Sequence, residues 1–358
     1  MVILHIASVH DNPFSGVVNA VPNHVIGQQE LETVLFINIK NRPDERIKNQ
    51  IKYNKNLCLK EICLKYGRPD IVVFHELYHI EFTCLAQQCE YMKIPYIIVP
   101  HGGLTKEAQK QKQIKKIIGN ICFFNKYIKN ATSIHYLSNA EKHNSRAVKN
   151  SFIAPNGISV PNISKTGFNT DSIRFTYIGR IDIGIKGLDL MLKAVSTLRD
   201  TIEKKKCSFE IYGPNFKGST DRLKKMIDEL NLTKIVQVFP AISGEQKRNV
   251  LLNTDVYIQT SRSEGLPQGI LEAMAYGIPC LVTQGTNLGD VIEANDAGWV
   301  TDTNSESIAN AIQDVLSRSS YLQTKGNAGR RSIIENYSWS HVAKITIDEY
   351  SKIICNYR

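Results

Sequence analysis

The chain has 358 residues, of which 42% are hydrophobic and 22% charged. That length accommodates about two hydrophobic cores, and the composition excludes a disordered, collagen-like or disulfide-scaffold protein. The net charge of +10 is uneven: residues 1–160 hold 20 Lys and Arg against 12 Asp and Glu, and the rest hold 24 against 22. The basic first half points toward an anionic partner surface.

Short apolar runs alternate with helical patterns along the whole chain. In the first half, strands are predicted at 2–7, 33–38, 70–74, 95–99, 133–137 and 151–154. In the second half they are predicted at 173–178, 207–212, 235–239, 255–259, 279–283 and 298–301. Strands alternating with helices imply parallel sheets covered on both faces. Two such series predict an α/β protein of two doubly wound, Rossmann-like domains facing a central cleft. The expected domains are 1–160, joined by a C-terminal helix at 339–358, and 161–338, with the junction in the Asn-, Ser- and Gly-rich stretch after Pro155-Asn156-Gly157. The N-terminal Met1-Val2-Ile3-Leu4 lacks a basic leader and reads as the first core strand. No apolar run reaches the length of a membrane helix. The eight cysteines are scattered, with no Cys-x-x-Cys. They are expected to be free thiols in a reducing, cytoplasmic setting.

The motifs follow in chain order. After the first strand, Asp11-Asn12-Pro13-Phe14-Ser15-Gly16 leads into a helix, and a glycine there lets backbone approach a ligand. A simple tight turn is an equal alternative. His75-Glu76-Leu77-Tyr78-His79 matches His-Glu-x-x-His, the zinc peptidase pattern, in which both histidines share one helical face. Here the first histidine follows a strand directly, which favours a strand-end loop, and no metal is expected. Pro100-His101-Gly102-Gly103 also follows a strand, so His101 either donates to a phosphate or sugar hydroxyl or caps the next helix.

Residues 104–130 carry seven lysines against Glu107 alone, with Ile114, Ile117, Ile118, Ile121, Phe123 and Phe124 among them. Two readings stay open: a basic amphipathic segment on anionic lipid, or a core-packed helix with solvated lysines. Ile178-Gly179-Arg180 and Lys186-Gly187 place two cations six residues apart on a loop after a strand, suited to a diphosphate. Gly213 ends the next strand on the same edge, and Ile242 follows the one after, where a base could be recognised. Ser261-Arg262-Ser263-Glu264-Gly265-Leu266-Pro267-Gln268-Gly269-Ile270-Leu271-Glu272 reads as loop into helix behind the strand 255–259. It sets two carboxylates, eight residues apart, around a helix start that favours anions.

Together these stretches resemble glycosyltransferase family 4, retaining enzymes of the GT-B fold that use nucleotide sugars, over nearly the whole chain. The resemblance implies that Glu272 holds the ribose hydroxyls and Glu264 the donor sugar. Arg180 and Lys186 would neutralise the diphosphate, while Gly179, Gly213, Gly265, Leu266, Pro267, Gly269 and Ile270 would line the donor site. Ser15 and Gly16 would approach the phosphate, where the family often has Gly-Gly, and His101 would line the sugar pocket. Catalysis would fall to His101, Arg180, Lys186 and Glu264, with no cofactor beyond the donor, UDP favoured over GDP. The implied reaction moves a hexose or N-acetylhexosamine to a saccharide acceptor, expected to be lipid-linked, in bacterial surface-polysaccharide synthesis. The anionic inner membrane is the expected surface and nucleic acid is not an expected partner. A nucleotide-sugar epimerase of the same fold, a zinc peptidase through His75, Glu76 and His79, and a non-enzymatic lipid-surface protein are the alternatives.

Overall fold

The computed structural model describes residues 1–10, 16–110, 113–146 and 150–357. The chain divides into two compact units, Met1–Gly157 with Tyr337–Arg358, and Ile158–Asn336.

The first unit contains β1 (Val2–Ala7), β2 (Thr33–Asn38), β3 (Gln50–Lys52), β4 (Ile71–His75), β5 (Tyr96–Val99), β6 (Ser133–Tyr136) and β7 (Ser151–Ile153). They form one parallel sheet in the order β3-β2-β1-β4-β5-β6-β7. Every residue of β4, β5 and β6 is buried, as expected of central strands with helices on both faces. β3 is the one strand missing from the sequence reading. It has three residues, Gln50-Ile51-Lys52, and only Ile51 is buried. An edge strand so short and polar gives almost no hydrophobic run to detect. The helix Trp339–Tyr357 lies in this unit and packs on the helix Gly16–Gln29.

The second unit contains β8 (Arg174–Ile178), β9 (Ser208–Tyr212), β10 (Val236–Phe239), β11 (Val256–Gln259), β12 (Cys280–Thr283) and β13 (Gly298–Thr301). Their order is β10-β9-β8-β11-β12-β13, again all parallel. Its core packs Phe175 flat on Phe209 at 4.5 Å, with Leu188, Leu192, Val195 and Ile312 over them. The expected α/β architecture of two doubly wound parallel sheets is what the chain adopts.

Each sheet reverses its winding once. In the first the reversal lies between β1 and β4, in the second between β8 and β11. Loops leaving two neighbouring strands there diverge to opposite faces, and the crevice between them is where open α/β sheets bind ligands.

Candidate functional site

In the second unit, the loops after β8 and β11 flank the winding reversal. The first begins at Gly179-Arg180 and enters a short helical turn, Ile183–Lys186, in which Ile185 N–H donates to the Asp182 carboxylate (3.2 Å to Oδ1). Gly187 ends that turn with φ 61, a left-handed conformation that glycine adopts without strain. A Cβ on it would also sit 2.0 Å from the Thr260 carbonyl oxygen. Loop and strand end are therefore in backbone contact, and Thr260 Oγ1 donates to Gly187 O at 2.9 Å. Arg262 continues the join, with its guanidinium gripping both Asp189 carboxylate oxygens at 2.7 Å and its N–H donating to Ile185 O at 2.8 Å.

This zipper brings Lys186 to Glu264. The ammonium lies 2.5 Å from Glu264 Oε1, which also accepts from Ser261 Oγ at 2.6 Å and Gln259 Nε2 at 2.8 Å. All three bonds go to Oε1, which leaves Oε2 without a hydrogen-bond partner among the described residues. Three residues on, Pro267 precedes the helix Gln268–Ala275. Its first N–H groups have no acidic side chain in the first turn to satisfy them. Gly269 lets this helix approach: a Cβ there would lie 2.2 Å from the Tyr257 hydroxyl, which donates to Ile178 O at the end of β8. Glu272, one turn into the helix, pairs with Lys247 from the neighbouring helix Gly244–Asn253.

Not every predicted residue converges. Arg180 stays half exposed. Its guanidinium stacks 4.3 Å from the Phe216 ring and makes a long contact, 3.4 Å, to Asp182. It does not touch Glu264. Gly213 packs directly under Gly179, whose carbonyl oxygen would be 1.8 Å from a Cβ at 213. Gly265 is exposed and a Cβ there would meet nothing within 4 Å. Leu266 is half-buried, while Pro267, Ile270 and Ile242 are buried, so the last two can offer a ligand only backbone atoms. Gln259, Ser261 and Lys247 were not singled out by the sequence reading. The first two lie in or beside the quoted stretch, but their aim depends on strand geometry. Lys247 sits in a helix of polar composition that carries no distinguishing pattern.

In the first unit, predicted residues gather at the ends of β4 and β5. His75 is the last residue of β4 and is fully buried, paired in register with Val99. His79 comes after a loop and precedes the helix Ile80–Tyr91. The zinc peptidase reading of His75-Glu76-x-x-His79 is therefore corrected: strand and loop separate the two histidines, which one helical face would have to present together. His79 Nε2 instead meets Glu76 Oε2 at 3.1 Å. Among the described residues no group of His, Cys, Asp and Glu is placed to hold a metal ion.

His101 and Gly102 both take left-handed backbone, φ 47 and φ 80. For histidine this costs on the order of 1–3 kcal/mol and persists only where surroundings enforce it. They do: the buried Glu141 carboxylate accepts from Gly102 N at 2.5 Å and Leu137 N at 2.7 Å, and Gly103 N donates to Pro100 O at 2.8 Å. Burial lowers the His101 imidazole to about 3, with His135 a smaller cause, so it is neutral at physiological pH. Gly16 opens the helix Gly16–Gln29 after β1, and Ser15 lies outside the described residues.

The apolar residues of 113–130 fall into a buried set and an exposed set. Phe124, Tyr127 and Ile128 are buried in the core, whereas Ile117, Ile118, Ile121 and Phe123 are 48–72% exposed. No helix among the described residues is long and apolar enough to cross a membrane.

Comparison with known proteins bears on this geometry. Residues 161–332 match the family model described as Glycosyl transferases group 1. The chain is 29% identical over 183 residues to MMP alpha-(1->4)-mannosyltransferase of Mycolicibacterium hassiacum, covering 51% of this chain and 43% of that protein. It is 27% identical over 195 residues to D-inositol 3-phosphate glycosyltransferase of Paenarthrobacter aurescens, covering 53% and 47%. The chain thus aligns with about half the length of the curated relatives it matches. In structure it resembles Anabaena HepE solved in complex with UDP, with a TM-score of 0.72 at 15% identity over 98% of this chain and all of that one. The fold is that of GT-B glycosyltransferases.

Proposed function

We propose that this chain is a retaining glycosyltransferase that moves a hexose or N-acetylhexosamine from a nucleoside diphosphate sugar to a saccharide acceptor. One observation carries this reading: Lys186 and Glu264, from the two loops at the winding reversal of the second unit, meet at 2.5 Å inside the segment that matches the glycosyl transferase model. Its likeness to a structure holding UDP supports UDP as the nucleotide.

The hard step breaks the anomeric C–O bond. Positive charge grows on the sugar and negative charge on the departing diphosphate. Arg180, Lys186 and the N-terminus of the helix Gln268–Ala275 supply fixed positive potential for that leaving group. Removing one such preorganised donor typically costs about 10²–10³ in rate. Glu264 Oε2 accepts from a donor-sugar hydroxyl, while Ser261, Gln259 and Lys186 hold Oε1 still. Glu272 takes the ribose hydroxyls in exchange for Lys247. Because Glu264 is committed to binding, we favour a front-face reaction with retention over a covalent sugar–enzyme intermediate. The cations at 180 and 186 do the charge neutralisation, so no resident cofactor is required.

The acceptor is a lipid-linked saccharide in this reading, of the kind that builds bacterial surface polysaccharide. The exposed Ile117, Ile118, Ile121 and Phe123 beside Lys115 and Lys126 support a peripheral seat on an anionic inner membrane. Incubation with UDP- and GDP-sugars, with release of the nucleoside diphosphate followed over time, tests the reaction. Release that depends on a saccharide acceptor is expected, and release of free nucleotide from no donor at all contradicts it.

A further inference from the structure

Four histidines of the first unit, three on separate elements and His101 on the turn after β5, form one hydrogen-bonded file through Gln28 that the reaction as described does not use. His101 Nε2 lies 3.2 Å from His75 Nδ1, and His75 Nε2 lies 2.8 Å from His5 Nδ1. His5 Nε2 lies 2.8 Å from Gln28 Oε1. The Gln28 amide nitrogen then reaches His24 Nε2 at 2.9 Å and Thr346 Oγ1 at 2.8 Å. His5, His24, Gln28, His75 and Thr346 are all buried. Burial also lowers His5 to about 4 and His75 well below its ordinary value, so each ring is neutral, with one N–H and one bare nitrogen.

Thr346 Oγ1 is 3.0 Å from both Val342 O and Ala343 O and 3.2 Å from His24 Nε2, and we assign its single hydrogen to the helix carbonyls, which sets the proton order along the file. Toward Gln28 it must accept, so the Gln28 nitrogen faces Thr346 and His24, and Oε1 faces His5. An amide oxygen only accepts, so His5 carries its proton on Nε2 and is bare at Nδ1. His75 must therefore donate from Nε2 and is bare at Nδ1. His101 must donate from Nε2 to His75, and its outer nitrogen, Nδ1, is left bare. Among the described residues, Nδ1 of His101 has no hydrogen-bond partner.

We infer that Gln28, His5 and His75 are positioning residues that fix the tautomer of His101, so that its outward Nδ1 accepts a hydrogen bond from a saccharide hydroxyl. A bare nitrogen repels phosphate oxygens, so His101 reads the sugar or acceptor and does not donate to the diphosphate. The left-handed backbone at His101 belongs to the same device, because it aims the Nε2–H back into the protein toward His75. The hydroxyl ligand rests on the glycosyltransferase reading; the tautomer does not.

The test uses the full chain with ¹⁵N-labelled histidine. Long-range ¹H–¹⁵N correlation near neutral pH distinguishes a protonated Nε2 from a protonated Nδ1. The wild type should show His5, His75 and His101 as the Nε2–H form, assigned by single substitutions. In His75→Phe the His101 signal should move to the average of the two tautomers, and kcat for sugar transfer should fall about tenfold or more with KM for the nucleotide sugar little changed. His75→Asn should restore both, because Asn Oδ1 can accept from His101 Nε2–H. His101 observed as Nδ1–H or as imidazolium in the wild type overturns the proposal, and this wild-type spectrum decides even where a variant fails to fold. The two readings fail separately. Correct tautomers without transfer of any sugar contradict the glycosyltransferase reading alone, and sugar transfer with His101 as Nδ1–H contradicts the relay alone.

Discussion

Two glycines of the second unit that look alike in the sequence do different work. Gly213 carries a packing constraint, because any Cβ there would sit inside van der Waals reach of the Gly179 carbonyl, and backbone has little room to yield. Gly213→Ala should destabilise the protein by about 2–3 kcal/mol, read as a lower urea midpoint at unchanged slope. Gly265 has open space around it, and Gly265→Ala should stay within about 0.5 kcal/mol of wild type. Equal losses at the two positions would contradict this assignment. Glu264 and Lys186 could be picked from the sequence because carboxylate, cation and glycine fall in loops after predicted strands. What orients them could not. Ser261 and Gln259 reach Glu264 only because β11 ends where it does, and Lys247 reaches Glu272 across two successive helices whose packing no local pattern reveals.

At the scale of elements, the strands were legible and their neighbours were not. Long apolar runs such as Val34-Leu35-Phe36-Ile37 and Ile71-Val72-Val73-Phe74 announce buried parallel strands, and they form β2 and β4. The histidine file escapes such reading. His5 is the fourth residue of β1, His75 the last of β4, and Gln28 lies one turn after His24 on a helix. They meet because β1 and β4 are adjacent in the sheet, which no local pattern reveals. The segment Gln113–Asn130 was ambiguous for a different reason: it has apolar residues on two faces, one set in the core and one exposed. If the exposed set sits in lipid, Ile121→Asp should weaken sedimentation with phosphatidylglycerol vesicles severalfold or more. A buried isoleucine contributes about 1.5–3 kcal/mol, and a carboxylate is repelled by an anionic surface. Ile121 is 72% exposed, so folding should be spared. Unchanged binding of the variant would remove this face from the membrane reading.

Across the molecule, acid should act unevenly. Burial holds His5 and His135 at about 4 and His101 at about 3, with His24 and His75 well below their ordinary value. In the unfolded chain these rings take up protons as pH falls through about 6.5. Between there and their folded values the unfolded state binds more protons, so stability is present above pH ~6.5 and declines as pH falls toward 4. Each ring still neutral in the fold costs about 1.4 kcal/mol per pH unit. All five lie in the first unit. Hydrogen exchange at about pH 5, compared with about pH 7.5 after correction for intrinsic rates, should show protection lost first in peptides of residues 1–157. Uniform loss over both units would contradict it. The most direct measurement of what the protein does is the nucleotide-release assay with Lys186→Ala and Glu264→Ala beside the parent chain. The parent should release UDP from at least one UDP-sugar in an acceptor-dependent way, and each variant should lose about 10²–10³ in rate while remaining folded. Full activity in both variants, or release from no UDP- or GDP-sugar by the parent, would contradict the assignment of this site.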